Sequence, residues 1–277
     1  MPIENIPELY IENKKESPDL FVYDFKMTTD VVKSKVNLGM NMFSFLQVGK
    51  KQVHFSGTSV AVNKDQSLLL KKGNWLWTEL LNTEAIYYCK LFFFSENKLT
   101  NFLSKYTNNV KPYKEETPYF VIENDAYITS FISSLSSKTF AKSNYSSALL
   151  SLKFDEIMLY LLDKYETKFE YYLHSLISKE ISPFKNTIES NVDSNLKVEE
   201  IAFLCNMSLS TFKRHFMAAY NEPPGKWLQD KRLQKAKELL KGGDLKASDI
   251  YLDVGYNNLS NFSVAFKNKF GISPTEI

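Results

Sequence analysis

Short hydrogen-bonding and cationic side chains alternate with phenylalanines near the carboxyl end of the chain, and this pattern suits chemistry at a surface. Phe212 and Phe216 are four residues apart, so on a helix they share one face. The alternate face then carries Ser210, Lys213 and Arg214. Phe262 and Phe266 repeat the spacing. The face opposite this second pair carries Ser260, Asn261 and Ser263. Such groups on an exposed helix can read base edges in the major groove of DNA.

These two stretches belong to an internal repeat. Ile201 corresponds to Ile250 and Cys205 to Val254, an offset of 49 residues, whereas the two phenylalanine pairs are offset by 50. Because insertions are tolerated best in loops, the extra residue is expected in a turn. Each copy therefore predicts a helix, a tight turn and a second helix.

The predicted turns contain residues suited to a sharp corner. Asn206 and Gly255 both tolerate the left-handed backbone that such a corner often needs. Ser208 would then cap the second helix of the first copy, and Asn257 or Asn258 would cap that of the second.

A third pattern connects the two copies. It begins at Pro223-Pro224-Gly225 and ends at Lys241-Gly242-Gly243, as expected for one long amphipathic helix. Its apolar positions are Trp227, Leu228, Leu233, Ala236, Leu239 and Leu240. A rigid rod of this kind would fix the separation of the two reading helices. Modules held about one DNA turn apart, roughly 34 Å, can enter successive major grooves.

Residues from about 182 to 277 resemble the DNA-binding domain of the AraC/XylS family. The matching pieces are Ile201-Ala202, Met207-Ser208, Phe212 to Phe216, Pro224, Arg232-Leu233, Ala236, Leu239-Leu240, Asp249-Ile250, Val254-Gly255-Tyr256, Phe262, Phe266-Lys267 and Phe270-Gly271-Ile272-Ser273-Pro274. These pieces agree with the family in order and spacing over about a third of the chain.

The resemblance implies an all-α, seven-helix domain with a double helix-turn-helix that binds double-stranded DNA and acts with RNA polymerase. It places six residues at base-facing positions: Ser210, Lys213, Arg214, Ser260, Asn261 and Val264. We assign three further residues to the phosphate backbone: Thr211, Ser263 and Lys267. The implied function is a sequence-specific transcription regulator, more often an activator in this family.

The sequence departs from the family pattern near these sites. Val264 stands where many members carry a cation or a long polar side chain, so the second reader would contact thymine methyls or bind weakly. Tyr251 replaces a usual small residue, and Asn206 replaces a usual glycine. Residues 175–277 hold 14 Lys/Arg against 12 Asp/Glu. High affinity is therefore expected to need two copies on one site, or a partner.

The first part of the chain, to about Ser95, predicts strands. Short β-branched or aromatic runs are separated by Gly and Asn, which is typical of an antiparallel sheet or small barrel. The runs are Phe43–Val48, Gln52–Phe55, Ser67–Leu70, Trp75–Thr78 and Tyr87–Phe94. Several are apolar on both faces, as expected when a sheet curls around its own core.

From about Tyr119 the pattern changes to helical. One helix would place Phe120, Ile128, Phe131, Ile132 and Leu135 on a shared face. A second helix from about Tyr145 would carry Leu149, Leu152, Phe154, Ile157, Leu161 and Leu162. The serine-rich stretch 133–147 would contain their connection. This helical hairpin either packs on the sheet alone or also forms a homodimer interface.

The segment from about 43 to 94 resembles the regulatory domains of the family's type III secretion activators, mainly in Leu68 to Gly73 and in strand spacing. The resemblance implies a cupin-like β-barrel followed by a helical dimerisation hairpin, so the fold class is α+β. Domains of that branch are typically controlled by protein partners, whereas the sugar-binding branch uses a small-molecule effector. We expect a regulatory domain over 1–165, a linker over 166–181 and a DNA-binding domain over 182–277.

Composition and single residues restrict other functions. A metal-dependent cupin needs about three converging ligands, and the barrel region offers one histidine, His54, which is better explained as a strand residue. We expect no metal and no cofactor. Cys89 and Cys205 read as free thiols in a reducing cytosol. The amino terminus lacks a signal-peptide pattern and no apolar run approaches the roughly 20 residues of a membrane span, so we expect a cytoplasmic location without a membrane partner.

Three ambiguities remain at this level. Trp75 and Trp77 share a sheet face and either pack in the core or stack on a ligand. Lys231, Arg232 and the lysines at 235 and 237 either touch phosphates or form a solvated helix face. His215 faces solvent or the phosphate backbone. The rival functions are a protein-interaction module and a cupin enzyme with a helical accessory domain.

Overall fold

The computed structural model describes residues 2–11, 18–55, 58–107, 118–135, 145–177, 184–192, 194, 196–242 and 245–277. By its internal contacts the chain divides into two units, the first made of Met1–Phe55 and Ser59–Glu180 and the second containing Ile181–Ile277. The first unit is built from sheets and helices and the second from helices, which confirms the predicted α+β class.

The first unit contains two five-stranded sheets. Their strands are β1 (Ile3–Ile6), β2 (Leu20–Met27), β3 (Val31–Leu38), β4 (Asn41–Val48), β5 (Lys50–Phe55), β6 (Thr58–Val62), β7 (Gln66–Leu70), β8 (Gly73–Leu80), β9 (Tyr87–Phe94) and β10 (Tyr119–Glu123). The outer sheet has the order β1-β3-β8-β5-β6, and the inner sheet has the order β10-β7-β4-β9-β2. The predicted cupin-like architecture takes the form of two facing sheets.

The inner sheet is buried on both faces, which explains its doubly apolar strands. On β4, Met42 and Leu46 lie in the core between the two sheets, whereas Phe43 and Phe45 lie in a second core against helices. The second apolar face is therefore covered by helices. The curled sheet predicted from the sequence accounts for only one of these two apolar faces.

In the described part of the chain, three helices cover that face: α1 (Glu96–Tyr106), α2 (Ala126–Ser134) and α3 (Ser146–Ile177). The hairpin of α2 and α3 packs on the sheet as predicted. Helix α1 was missed, although Ser95 accepts a hydrogen bond from the Lys98 amide as its N-cap, and Leu99, Phe102 and Leu103 form its buried stripe. Much of the predicted serine-rich connection, 136–144, lies outside the described residues.

Two details of the predicted hairpin differ in the structure. Phe120 lies on strand β10, which pairs antiparallel with β7, and the first helix begins only at Ala126, where the Asp125 side chain caps it. The four aromatic and β-branched residues that begin this strand complete a sheet edge more readily than they start a helix. Leu149 and Leu152 are exposed, while Phe154, Ile157 and Leu161 are buried as predicted.

The predicted linker is largely helical. Helix α3 continues through residues 166–177 after a kink at Glu166, where φ is 49°. Phe169 and Leu173 of this second half lie in the helical core, and the Tyr172 hydroxyl donates to the Leu69 carbonyl at 2.9 Å. This segment belongs to the first unit because its apolar residues cover the inner sheet, and only residues 178–181 of the prediction lie outside the described residues.

The core between the sheets contains the two tryptophans and the first cysteine. Trp75, Trp77 and Cys89 are all buried there, which agrees with the packing alternative for the tryptophans. Both Cys89 and Cys205 are free thiols as predicted. Burial raises the pKa of the Cys89 thiol, and it raises the pKa of Cys205 to about 12, so neither thiol is activated.

A buried ion pair crosses the outer sheet. Lys51 and Glu79 are direct cross-strand partners with a 2.8 Å Nζ–Oε1 distance, and their side chains are 0% and 4% exposed. The Tyr87 hydroxyl, from the inner sheet, donates to the same carboxylate at 2.7 Å. The Lys51 ammonium also lies 3.9 Å from the centroid of the Trp77 ring. These contacts join the two sheets through one carboxylate.

We predict that Lys51→Met lowers the free energy of unfolding by about 3–5 kcal/mol, because it leaves the Glu79 carboxylate buried without its cation. Urea denaturation of the full chain measures this change. Lys72→Met is the matched control, since the Lys72–Glu96 pair is 44% exposed on both sides and is expected to contribute at most about 1 kcal/mol. Equal effects of the two substitutions would contradict the role of the buried pair.

Candidate nucleic-acid interface

The second unit is built from short helices around one long helix. Its α-helices are α4 (Phe184–Glu189), α5 (Val198–Leu204), α6 (Leu209–Tyr220), α7 (Pro224–Lys241), α8 (Ala247–Ile250) and α9 (Leu259–Phe270), followed by a 3-10 turn at Pro274–Glu276. The long amphipathic helix is thus confirmed as α7. The pairs α5–α6 and α8–α9 are the two predicted helix-turn-helix units.

The two units have equivalent backbone geometry. Asn206 and Gly255 have positive φ values of 57° and 82°, as predicted for the turn residues. Immediately afterwards, the Met207 amide donates to the Ala202 carbonyl at 3.0 Å, and the Tyr256 amide donates to the Tyr251 carbonyl at 2.9 Å. The same five-residue bond, 49 positions apart, defines both corners.

Both reading helices begin at a capping side chain. Ser208 Oγ accepts from the Thr211 amide at 3.2 Å, and Asn258 Oδ1 accepts from the Asn261 amide at 2.7 Å. Asn258, and not Asn257, is therefore the cap of the second helix. The caps are 50 residues apart, so the extra residue lies in the turn, as the repeat predicts.

The first helices of the two units also begin alike. The Glu200 carboxylate accepts from the Lys197 amide at 2.7 Å, and the Asp249 carboxylate accepts from the Lys246 amide at 2.9 Å. The hydrogen bond from the Lys246 amide is the main cause of the lowered pKa of the Asp249 carboxyl group. Each carboxylate satisfies a backbone donor at the positive end of its helix.

The phenylalanines face inward in both reading helices. Phe212, Phe216, Phe262 and Phe266 are fully buried. The six residues predicted to read bases are all exposed: Ser210, Lys213, Arg214, Ser260, Asn261 and Val264. Of the residues assigned to phosphates, Lys267 is exposed, while Thr211 and Ser263 are half-buried. Thr211 Oγ1 accepts from Ser208 Oγ at 2.9 Å, so it supports the cap.

Helix α7 packs into the cores of both helix-turn-helix units. Near its amino end, the Trp227 ring lies 5.5 Å from the Phe216 ring and 4.8 Å from the Tyr220 ring. Its carboxyl half contributes Leu233, Ala236 and Leu240 to the core that holds Phe262 and Phe266. Lys269 of α9 also pairs with Asp230 of α7 at 2.8 Å. A single helix thus positions both reading helices.

Arg232 is a positioning residue that the sequence did not reveal. Its guanidinium donates to the carbonyls of Val192, Ser194 and Leu196 at 3.3, 2.6 and 2.8 Å. A Cβ on Gly255 would lie 2.8 Å from Arg232 Nη1. The side chain therefore joins the segment before α5 to the turn of the second helix-turn-helix unit. The sequence leaves phosphate contact and a solvated face open for Arg232, and these hydrogen bonds give the side chain a structural role that neither alternative includes.

The neighbouring cations are arranged differently. The Lys231 ammonium lies 5.3 Å from the Trp227 ring centroid and the Lys237 ammonium 4.5 Å from that of Phe270. The exposed His215 ring lies 6.2 Å from the Phe184 ring.

A groove of about 660 Å³ borders the first reading helix. Its apolar part includes Leu209 and Met217, and its cations are Lys197, Lys213 and Lys226. Lys213 thus belongs both to the outward face of α6 and to the wall of the groove. Glu199 also lines the groove, so three cations and one carboxylate leave a net positive charge on this side of the helix.

Within the described residues, no group of three or more His, Cys, Asp and Glu side chains could hold a metal ion. In the same part of the chain, no helix combines the length and hydrophobicity required to cross a membrane. His54 lies on strand β5, as expected of a strand residue.

The outward polar faces, the paired corners and the shared central helix define a double helix-turn-helix protein. The family model of the ExsA N-terminal regulatory domain matches residues 41–172, and that of a helix-turn-helix domain matches residues 194–277. Together the two matches confirm the predicted resemblance to AraC/XylS-family regulators, with an N-terminal domain like that of the type III secretion activator branch.

Individual relatives agree with this assignment. The thermoregulatory protein LcrF of Yersinia pestis is 27% identical over 136 residues, which are 49% of this chain and 50% of the relative. The HTH-type transcriptional regulator ExsA of Pseudomonas aeruginosa is 25% identical over 128 residues, 46% of each chain. The chain spans about half the length of these curated relatives, which are regulators and not enzymes. A crystal structure of ToxT from Vibrio cholerae is 16% identical, covers 93% of both chains and has a TM-score of 0.41.

We predict that Gly255→Ala lowers the free energy of unfolding by about 1–3 kcal/mol, because a Cβ there meets Arg232 and the φ of 82° strains any side chain. Urea denaturation measures the change. Gly225→Ala, in the first turn of α7, is the matched control because its Cβ would meet nothing within 4 Å. A loss no greater than that of the control would show that the contact with Arg232 is dispensable.

Proposed function

We propose that this protein is a sequence-specific transcription regulator, of the activating kind, that reads two adjacent major grooves through its paired helix-turn-helix units. The observation that carries the proposal is the equivalence of the two units around α7, with the polar face of each reading helix exposed. On this proposal, Ser210, Lys213 and Arg214 read one groove. Ser260, Asn261 and Val264 read the next.

The two reading helices differ in chemistry. The first offers two cations and a hydroxyl, which suit guanine edges and phosphates. The second offers a hydroxyl, an amide and the Val264 side chain, which is 60% exposed and suits the methyl group of thymine. We therefore propose that the first half-site supplies most of the affinity. Thr211, Ser263 and Lys267 would lie along the phosphate backbone, and Lys267 would act through its charge.

The domains carry separate roles in this proposal. A regulatory domain, expected over 1–165, would control whether the DNA-binding domain, expected over 182–277, engages its sites and RNA polymerase. The core between the sheets is filled by large side chains that include Trp75, Trp77 and Tyr87. A filled interior favours a protein effector over a small molecule inside the barrel. We place the protein in the cytoplasm.

A second copy of the chain is the proposed partner at helix α3. Tyr145, Leu149, Leu152, Glu156 and Leu159 follow the alternating four- and three-residue spacing of a coiled-coil seam. Leu149, Leu152 and Leu159 on this seam are exposed. Exposed leucines at this spacing favour an antiparallel or parallel helix pair between two copies. Because the DNA-binding half carries little net charge, one copy is expected to bind DNA weakly, and dimerisation would raise the affinity for DNA.

The function is tested by genome-wide footprinting with the purified full-length protein. We expect protected sites that each contain two segments about one helical turn apart. At such a site, Arg214→Ala should relax base preference and weaken discrimination by about 1–3 kcal/mol. Lys267→Ala should weaken binding to all sequences alike and reduce the salt dependence.

Two results would count against this function. The absence of any specifically protected site would favour a protein-interaction module. An equal loss on cognate and random DNA for Arg214→Ala would remove that residue from the base readers.

We predict that Leu152→Glu converts a dimer to a monomer, because it replaces a leucine contact of the proposed seam with a second carboxylate beside that of Glu156. Light scattering coupled to size exclusion measures the mass. Leu9→Glu is the matched control, since Leu9 is 63% exposed and Leu152 is 66% exposed in the same unit. A wild-type protein that is monomeric at all accessible concentrations, or a dimer that survives the substitution, would exclude this seam.

A further inference from the structure

A polar cavity of about 340 Å³ lies in the first unit, where three loops meet the amino end of helix α1. The loops precede β2, join β3 to β4, and join β7 to β8. The cavity is separate from the filled core between the sheets and has no part in the proposed reading of DNA. Its size is at the lower end of the range for small-molecule sites.

An unsatisfied donor borders this cavity. The Asn41 side chain is fully buried, and its Oδ1 accepts from the Lys72 amide at 2.9 Å. That bond fixes the orientation of the side-chain amide, because the reverse orientation would set two donors against each other. Its Nδ2 then has no acceptor among the described residues. A buried donor left unmet costs about 1–3 kcal/mol, so an acceptor supplied by a ligand would be favourable.

The amino end of α1 adds donors to the same cavity. Ser95 Oγ accepts from the Lys98 amide at 3.0 Å, and the first intrahelical bond runs from the Leu99 amide to the Ser95 carbonyl at 3.1 Å. The amides of Glu96 and Asn97 precede these bonds and lie at the positive end of an 11-residue helix. Asn41 lines the same cavity, so a carboxylate bound there would be offered donors both by its Nδ2 and by this helix end.

Charged side chains decide which molecule fits. The Asp19 carboxylate accepts from Ser95 Oγ through Oδ1, and the Glu96 carboxylate pairs with Lys72 through Oε1 at 2.7 Å. Among the described residues that line the cavity, two carboxylates face one ammonium group, and this balance would repel a simple anion. The same excess of negative charge would hold a cation close to the carboxylate seat. A zwitterion satisfies both requirements.

We propose that this cavity binds a free α-amino acid. Its carboxylate would accept hydrogen bonds from Asn41 Nδ2 and from the amino end of α1, and its ammonium group would pair with Asp19 and Glu96. This makes the rim of the first unit a second place for control, distinct from the filled interior.

The test is a thermal-shift and calorimetric titration of the full chain with each of the twenty amino acids. At least one amino acid should raise the melting temperature and bind with a dissociation constant below about 1 mM. This limit corresponds to a binding free energy of about −4 kcal/mol, which is weak for a specific small-molecule site. Its amide derivative, which lacks the carboxylate, and its N-acetyl derivative, which lacks the ammonium, should each bind at least about tenfold more weakly, a loss of about 1.4 kcal/mol.

Variants separate the site from general effects of charge. Asn97→Asp places a negative charge in the carboxylate seat and suits the first turn of a helix, so it should fold normally and weaken binding at least about tenfold. Asn101→Asp adds the same charge one turn further along α1 and should leave binding unchanged. Asn41→Asp keeps the acceptor for Lys72 but replaces the unmet donor, and it should also abolish binding. No binding by any amino acid to the folded protein, or equal binding by Asn97→Asp and Asn101→Asp, would overturn the proposal.

Discussion

Helix α7 is packed into two cores at once, and the arrangement of the DNA-binding half depends on this constraint. Trp227 lies against the first reading unit, and Leu233 and Ala236 lie within the second. A fully buried leucine such as Leu233 contributes about 1.5–3 kcal/mol relative to an exposed one. A rotation of one unit about α7 would expose part of a core, so the two reading helices are held as a pair.

Arg232 strengthens the same constraint by a different means. Three carbonyls before α5 accept hydrogen bonds from its guanidinium. Gly255 leaves space for the guanidinium at the turn of the second helix-turn-helix unit. A charged donor on partly buried carbonyls is among the stronger hydrogen bonds in a protein. Arg232 is therefore part of the frame that positions α6 and α9.

The first unit is organised by a sheet with two buried faces. Its outer partner sheet closes one face, and helices α1, α2 and α3 close the other. The buried Lys51–Glu79 pair and the Tyr87 hydroxyl tie the two sheets together. With the interior occupied in this way, the places left for a regulator are surfaces: the leucine seam of α3, and the polar cavity at the end of α1.

The sequence by itself determined the two helix-turn-helix units, because every signal for them is local. Phenylalanine spacing, the left-handed Asn206 and Gly255, and the caps Ser208 and Asn258 all act within a few residues. The family match and the exposed reading faces followed from the same stretch. Helix α1 also had a local signal, the Ser95 cap, which its polar composition obscured.

Only the tertiary structure decided the remaining features, because each depends on partners far away in the sequence. Phe120 becomes a strand residue by pairing with β7, and residues 166–177 remain helical by covering the inner sheet. Arg232 donates to carbonyls about 40 positions away in the sequence, and Lys51 of β5 pairs with Glu79 of the neighbouring strand β8. Local periodicity carries no information about such pairings, because these contacts form, and stabilise the protein, only once the chain has folded.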